Sequence, residues 1–212
     1  MPDTRVKICG LTTRQTALAA ADAGATYIGL NFFPQSPRFL DVKAAKDLAV
    51  CLPPGVAKVA LTVDASDSVL DEIVTSVPLD FLQLQGSETP ERVSELRARF
   101  GLPVMKAVGI ADANDLKNLD DFEGVADQLL VDAKPAKDAT LPGGNGVAFD
   151  WRLIANRRWS KPWMLAGGLN PNNVAEAISL TGARQVDVAS GVESAPGVKD
   201  PELMRAFVLA AG

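Results

Sequence analysis

Histidine is absent from this sequence of 212 residues, and its absence excludes the most common catalytic groups. Without an imidazole, the chain can form neither a Ser–His or Cys–His nucleophile nor a metal site with histidine ligands. Any general acid or base must therefore be Asp, Glu, Cys, Lys or Tyr. Cysteine occurs only at Cys9 and Cys51, and two cysteines in a chain of this length do not indicate a disulfide framework.

The sequence also lacks a surplus of basic residues and a long apolar run. Its net charge of −5 argues against a nucleic-acid surface, which needs a basic stripe. No apolar segment approaches the roughly 18 residues of a membrane span. Residues 1–5 show no basic segment followed by an apolar one, as a signal peptide would. We therefore expect a cytoplasmic protein that binds neither nucleic acid nor membrane.

Short β-prone segments alternate with helical segments along the whole chain. The predicted strands cover residues 4–9, 26–31, 57–63, 81–85, 104–108, 128–132, 163–166 and 185–189. The predicted helices cover residues 13–23, 42–51, 66–76, 89–100, 112–120, 150–156, 171–181 and 200–210. Such alternation is typical of a parallel sheet, and eight units in so short a chain favour a closed barrel. The sequence therefore predicts an α/β fold, a single (β/α)8 TIM barrel with eight parallel strands, as one domain over residues 1–212.

The predicted strands alternate aliphatic and polar residues with a period of two. In a barrel strand, one set of side chains faces the helices and the other faces the interior. Because the aliphatic set suits the helix-covered face, we expect the polar set to point inward: Lys7, Cys9, Gln83, Gln85, Asp132 and Asp187. Cys9, Gln85 and Asp132 end their strands, which places them at the carboxyl-terminal mouth, where barrel enzymes build their active sites. Each could be a satisfied interior polar group, but their convergence on one mouth favours a site.

Two glycine-rich turns follow the last two predicted strands. Gly167 and Gly168 lie after the seventh strand, and Ser190 and Gly191 lie after the eighth. Glycine lets backbone N–H groups approach an anion closely, and these two loops are the usual phosphate site of a TIM barrel. One such turn alone would indicate only a tight turn. Two turns at these positions predict a phosphate-binding site.

Eight sequence blocks, in order along nearly the whole chain, resemble those of the phosphoribosylanthranilate isomerase family. They are VKICGLT at 6–12, NFFPQSPR at 31–38, QLQGSE at 83–88, LVD at 130–132, PGGNG at 142–146, FDW at 149–151, AGGL at 166–169 and VDVASGVE at 186–193. Together these blocks are highly specific. The chain departs from the family pattern at Gln85, where the family usually has histidine, at Asn145, where it usually has threonine or serine, and at Ala189, where serine is more frequent.

The resemblance implies an Amadori rearrangement in tryptophan biosynthesis, by which N-(5-phosphoribosyl)anthranilate becomes 1-(2-carboxyphenylamino)-1-deoxyribulose 5-phosphate. It also implies that Asp132 is the general acid, that Cys9 is the general base and that Arg38 binds the substrate carboxylate. The phosphate-binding residues that it implies are Gly167, Gly168, Ser190 and Gly191. The reaction requires neither a metal nor an organic cofactor. The sequence leaves open whether the protein is a monomer or a homodimer.

Other interpretations of the same residues remain at this point. Another phosphosugar-binding barrel enzyme, such as an indole-glycerol-phosphate synthase, would share the glycine-rich turns but rely on Lys and Glu. A non-catalytic phosphate-sugar binding protein would not need a Cys–Asp pair, and a thiol redox protein would need a C-x-x-C partner for Cys9. Arg38 could be a solvated surface charge. Lys7 and Asp187 are expected to form a structural ion pair inside the barrel.

Overall fold

The structure is a computed structural model, and it describes residues 4–134, 143–144, 146 and 148–212. Eight parallel strands form a closed barrel in which each strand pairs with its sequence neighbours and the last pairs with the first. The strands are β1 (Arg5–Cys9), β2 (Tyr27–Asn31), β3 (Ala57–Thr62), β4 (Phe81–Leu84), β5 (Val104–Ile110), β6 (Gln128–Ala133), β7 (Trp163–Leu165) and β8 (Gln185–Val188). The predicted TIM-barrel fold is confirmed.

Seven α-helices pack on the outside of the barrel in the described part of the chain, of which six connect consecutive strands and the last follows the hairpin after β8. They are α1 (Arg14–Asp22), α2 (Val42–Cys51), α3 (Asp67–Ser76), α4 (Pro90–Phe100), α5 (Leu116–Glu123), α6 (Val174–Thr181) and α7 (Pro201–Ala210). Local sequence explains their ends, since the side chains of Thr89 and Asp200 accept the first free N–H groups of α4 and α7 and a proline follows each cap. None of the helices that the structure describes is long and apolar enough to span a bilayer.

Three predicted helices differ from those observed. The helix predicted over 150–156 is wrong, because the segment forms only a 3-10 turn at Trp151–Leu153. After this turn, Arg157 bonds to Asp120 and Glu123 near the end of α5 and lies over the Trp159 ring, which holds the segment in an irregular path.

The other two differences concern where a helix begins. The helix predicted from 171 begins at Val174, because the Asn170 side chain accepts from the N–H of Asn172 and closes a turn ahead of the helix. The helix predicted over 112–120 is a 3-10 turn at Ala113–Asp115 followed by α5.

The strands have an apolar core on each face, one between the barrel and the helices and one inside the barrel. The aliphatic set of each strand, such as Ile8, Ile28 and Leu82, packs under the helices in the larger core. A smaller core fills the barrel interior with Tyr27, Val59, Met105, Ala107, Leu130, Met164 and Ala166. The predicted parity of the strands is therefore confirmed. After β8 the chain forms a short antiparallel hairpin that the sequence did not predict, β9 (Glu193–Ala195) and β10 (Val198–Lys199).

Candidate active site at the carboxyl-terminal mouth

The predicted mouth residues line one cavity at the carboxyl-terminal end of the barrel. Cys9 ends β1, Gln85 follows β4 and Asp132 lies near the end of β6, and all three line this cavity with Arg38 and Asp187. A second cavity lies against the glycine-rich turns, and Asp132 and Asp187 line both of them. The two cavities therefore share a wall that carries two carboxyl groups, whereas Cys9 lines the first cavity alone. We call the first the catalytic cavity and the second the anion cavity.

Asp132 is held so that its carboxyl group can carry a proton at neutral pH. Burial, and then the negative charge of Asp187, raise the pKa of Asp132 to about 7 against opposing effects of two hydrogen bonds and of Lys7. The two hydrogen bonds come from the N–H of Ala133 to Oδ1 at 2.8 Å and from Gln85 Nε2 to Oδ2 at 3.0 Å. A carboxyl group with a pKa near 7 is suited to general acid catalysis at neutral pH.

Cys9 is a buried thiol with 5% of its surface exposed. A glycine on the neighbouring strand makes room for it, because a Cβ atom at Gly29 would lie 2.6 Å from the Cys9 Sγ. Burial raises the pKa of Cys9, and the positive charges of Lys7 and Lys199 offset this only in part. The thiolate, which is the form that can accept a proton, is therefore a minority form in the free protein.

Lys7 and Asp187 form the expected ion pair inside the barrel, with Lys7 Nζ 2.8 Å from Asp187 Oδ1. The Lys7 side chain is fully buried, and its strand β1 pairs with β8 so that the two residues lie side by side. Burial alone would lower the pKa of Lys7, but the charges of Asp187 and Cys9 outweigh it and the pKa is raised. Because Asp187 also raises the pKa of Cys9 and Asp132, this pair influences both titratable groups of the catalytic cavity.

Gln83 lies on β4 and Gln85 directly follows it. Both point inward as predicted, and Gln83 lines the catalytic cavity together with Gln85, which was the one predicted to reach it. Gln83 Nε2 donates to Gln85 Oε1 at 2.8 Å, and Gln85 Nε2 donates to Asp132 Oδ2. Gly143 packs against the bond between Gln85 and Asp132, since a Cβ atom at Gly143 would be 2.8 Å from Gln85 Nε2 and 3.0 Å from Asp132 Oδ2. Gln85, which departs from the family pattern, therefore contacts the carboxyl group of Asp132. Asn145, the second departure, lies outside the described residues.

Arg38 is not a solvated surface charge, since only 5% of the residue is exposed. Its Nε and Nη2 atoms bind the two carboxylate oxygens of Glu193 at 2.7 and 2.9 Å. Nη1 lies on the other side of the guanidinium, where a Cβ atom at Gly144 would be 2.8 Å from it. One edge of the planar fork is thus occupied by Glu193, and the Nη1 side is the part directed toward the glycine loop of the cavity.

Glu193 and Lys199 are two buried charged residues of the site that sequence analysis did not assign. Lys199 Nζ donates to Glu193 Oε1 at 2.5 Å and to the carbonyl oxygen of Ala189 at 2.9 Å. Burial would raise the pKa of Glu193, but its bonds to Arg38 and Lys199 outweigh burial and lower it. Glu193 lies in a block that resembles the family, but no local pattern links it to an arginine 155 positions away.

The anion cavity is built from the two predicted glycine-rich turns. Gly167, Gly168 and Ser190 line it, and the two glycines have positive φ angles of 84° and 63° that other residues rarely adopt. Gly191 does not line the cavity but holds the turns together, because a Cβ atom there would lie 1.9 Å from the carbonyl oxygen of Leu169. Ala189, the third departure, also lines this cavity.

The sequence matches one family over nearly its whole length. The model of the family described as N-(5'phosphoribosyl)anthranilate (PRA) isomerase matches residues 6–210. An N-(5'-phosphoribosyl)anthranilate isomerase of Cereibacter sphaeroides is 64% identical over 211 residues, which cover 100% of this chain and 100% of that protein. The corresponding isomerase of a Ruegeria species is 60% identical over 212 residues, which cover 100% of this chain and 99% of that protein.

Solved structures agree with this match. The phosphoribosyl anthranilate isomerase of Thermotoga maritima superposes with a TM-score of 0.89 at 34% identity and covers 98% of both chains. A phosphoribosyl anthranilate isomerase in complex with reduced 1-(O-carboxyphenylamino)-1-deoxyribulose 5-phosphate superposes with a TM-score of 0.84 at 32% identity over 98% of both chains.

Proposed function

The chain belongs to the N-(5'-phosphoribosyl)anthranilate isomerase family, and we propose that Asp132 and Cys9 carry out the two proton transfers of its reaction. The enzyme is an intramolecular oxidoreductase of the aldose–ketose type in tryptophan biosynthesis. It converts N-(5-phosphoribosyl)anthranilate to 1-(2-carboxyphenylamino)-1-deoxyribulose 5-phosphate. The alternatives of an indole-glycerol-phosphate synthase, a phosphate-sugar binding protein and a thiol redox protein are thereby set aside.

The reaction needs one acid and one base at neighbouring atoms of the sugar. Asp132 gives its proton to the furanose ring oxygen, the C1–O bond breaks, and the lone pair of the amine nitrogen forms the C1=N bond of a Schiff base. The Cys9 thiolate then removes the proton from C2, and the electron pair forms the C1=C2 bond of an enolamine while the nitrogen regains its lone pair. Protonation of C1 and loss of the C2 hydroxyl proton complete the ketone.

The observation that carries this assignment is that Asp132, with a pKa of about 7, and Cys9 line the same cavity. The active form has a neutral carboxyl group and a thiolate. Because the Cys9 pKa is raised above its ordinary value of 9.0, this form is a minority form. Below the Asp132 pKa, kcat/KM should therefore rise with pH as more thiolate forms. Above about pH 7 the gain in thiolate is cancelled by the loss of neutral carboxyl, so a plateau is expected until Cys9 itself ionises.

Two further contacts complete the proposal. The Nη1 side of Arg38 binds the substrate carboxylate, while Glu193 holds the opposite edge of the guanidinium in place. The anion cavity binds the phosphate through Gly167, Gly168 and Ser190. Gly191 allows the two turns to pack closely, because it has no Cβ atom to meet the carbonyl oxygen of Leu169. The substrate is thus held at its carboxylate and at its phosphate. Its sugar then lies between the two cavities, next to the wall that they share.

The proposal is tested by steady-state kinetics with N-(5-phosphoribosyl)anthranilate. Cys9→Ala and Asp132→Asn should each lower kcat by at least about 100-fold, which is the scale of lost acid–base catalysis, with a much smaller change in KM. Arg38→Lys should weaken substrate use nearly as much as Arg38→Ala, and both losses should shrink for an analogue without the ring carboxylate. A Cys9 or Asp132 variant that keeps most of its kcat would remove that residue from the mechanism.

Three further expectations, on the domain, the location and the oligomeric state, are part of the same proposal. We infer that residues 1–212 form one catalytic domain, that the protein acts in the cytoplasm, and that it is a monomer or a homodimer. The relatives are bacterial biosynthetic enzymes, and one similar structure is of monomers generated from the dimeric enzyme of Thermotoga maritima. Light scattering of the purified protein would distinguish monomer from dimer, and cell fractionation would test the location.

A further inference from the structure

Gln83, Gln85 and Asp132 form one hydrogen-bonded chain inside the catalytic cavity. The links are Gln83 Nε2 to Gln85 Oε1 at 2.8 Å and Gln85 Nε2 to Asp132 Oδ2 at 3.0 Å. Both amides thus point their donors toward the carboxyl group. Within the described part of the chain, the hydrogen bonds to this carboxyl group come from Gln85 and from the N–H of Ala133.

The far end of this hydrogen-bonded chain has no partner among the residues that the structure describes. Gln83 is 1% exposed, and its Oε1 atom is buried without a hydrogen-bond donor among the described residues. The direction of the two amides is therefore fixed at one end only, by the carboxyl group of Asp132. A primary amide offers an acceptor on one side and donors on the other, and the two sides have nearly the same shape. The chain can reverse if both amide groups turn over in place.

The reversed chain suits the other protonation state of Asp132. In the observed direction, Gln85 donates to Oδ2, which stabilises the carboxylate. In the reversed direction, a protonated Oδ2 would donate to Gln85 Oε1, and Gln85 Nε2 would donate to Gln83 Oε1. Each direction keeps two hydrogen bonds, so the chain can accompany either form of the carboxyl group without a net loss of bonds.

We propose that Gln85 and Gln83 are positioning residues for Asp132, and that their amide chain reverses direction when Asp132 gains or loses its proton. The inference rests on the proposed role of Asp132 as the general acid. It gives Asp132 a hydrogen-bond partner both before and after proton transfer. When the substrate is bound, the Asp132 proton breaks its hydrogen bond with Gln85 Oε1 and is transferred to the ring oxygen, and the amides turn back so that Gln85 Nε2 donates to the new carboxylate.

The amides of Gln83 and Gln85 serve both protonation states of Asp132 without carrying a charge themselves. The charged or titratable side chains that act on Asp132 or line a cavity with it come from several elements: Lys7 and Cys9 from β1, Arg38 after β2, Asp64 after β3, Glu88 after β4, Lys106 from β5, Lys134 after β6 and Asp187 from β8. The four cations among them are paired with other carboxylates, Lys7 with Asp187, Arg38 with Glu193, Lys106 with Glu88 and Lys134 with Asp115, so none donates to Asp132 in the structure. Because an amide does not titrate, the chain adds no second ionisation to that of Asp132, whereas the histidine usual in the family would add one.

The test is the pH dependence of the Gln83 and Gln85 side-chain NH2 signals by NMR of the full-length protein. Both pairs of signals should shift together across the pH range in which Asp132 titrates, centred near pH 7. In Asp132→Asn, neither pair should shift. In Gln85→Met, the Gln83 signals should no longer follow the titration, because the link is cut. The amides of Gln128 and Gln185, which bond to each other at the opposite end of the barrel, should not shift in any of these proteins.

Two outcomes would overturn the inference. Gln83 signals that stay constant across the titration would show that the chain does not reverse. Gln83 signals that still follow the titration in Gln85→Met would show that they report only the charge of Asp132 through space. Neither result depends on activity, so failure of the chain is distinguishable from failure of the acid role, which the kcat of Asp132→Asn tests separately.

Kinetics provide a second readout. Gln85→Met should lower kcat by about 30-fold with KM within about threefold, on the scale of the roughly 10–100-fold losses that follow removal of the hydrogen-bond partner of a metal ligand. Gln85→His keeps both a donor and an acceptor and should stay within about tenfold of the unmodified enzyme, but its pH profile should show an added ionisation. Equal losses for Gln85→Met and Gln85→His at all pH values would contradict the positioning role.

Discussion

Replacing Asp187 by Asn removes the negative charge that acts on both proposed catalytic groups. Asp187 raises the pKa of Cys9 and of Asp132, and its partner Lys7 lowers both. In Asp187→Asn, the buried ammonium of Lys7 loses its carboxylate and has the Cys9 thiolate as a neighbouring counter-ion. Both changes favour ionised Cys9. The pH at which Cys9 becomes reactive should therefore fall.

The size of the shift follows from the geometry of the Lys7–Asp187 pair. Lys7 Nζ lies 2.8 Å from Asp187 Oδ1, and Cys9 lies two residues along β1 from Lys7, so Cys9 is the diagonal neighbour of Asp187 across the β1–β8 pair. Diagonal cross-strand neighbours are roughly 7 Å apart. A unit charge at about that distance in a medium with an effective dielectric constant of about 20 contributes about 2.4 kcal/mol, or about 1.7 pH units. Because the cavity can relax, we expect a fall of at least about 1 pH unit.

The assay is alkylation by iodoacetamide as a function of pH, with mass spectrometry to assign the site. The Cys9 midpoint should fall in Asp187→Asn, and the profile of Cys51 on α2 should be the same in both proteins. Asp80→Asn is the matched control, because Asp80 pairs with Lys58 at the opposite end of the barrel and its loss changes the net charge equally. An unchanged Cys9 midpoint in Asp187→Asn would refute the electrostatic arrangement described for the catalytic cavity.

Two other substitutions test the supports of the site. Glu193→Gln leaves Arg38 and the buried Lys199 without their counter-ion, so the free energy of unfolding in urea should fall by about 3–5 kcal/mol. The control Glu202→Gln, which breaks an exposed pair, should lower it by less than about 1 kcal/mol. Equal losses in the two variants would contradict the buried network. Gly143→Ala places a Cβ atom 2.8 Å from the Gln85 amide, so kcat should fall by about tenfold, or about 1.4 kcal/mol. Gly124→Ala, where a Cβ atom meets nothing within 4 Å, should leave kcat unchanged, and a Gly143→Ala enzyme with full kcat would show that this contact is unimportant.

Local sequence was sufficient to predict the barrel and the direction of its polar side chains. The alternation of strands and helices predicts a parallel sheet, and the period of two within each strand assigns side chains to the inside or the outside. Because these rules act over a few residues, they correctly placed Lys7 beside Asp187 in the interior and brought Cys9 and Asp132 to the mouth. They also brought the two glycine-rich turns to one cavity. The roles of these residues in the reaction remain predictions.

Contacts between distant parts of the chain decided what local patterns could not. The bond of Arg38 to Glu193 spans 155 positions and that of Gln85 to Asp132 spans 47, so neither leaves a signal in the neighbouring sequence. The helix predicted over 150–156 was lost because Arg157 bonds to residues of α5. The pKa of Asp132 is likewise set by burial and by Asp187 on another strand. Sequence periodicity determines which way a side chain points, whereas its partners and its desolvation exist only once the barrel has closed.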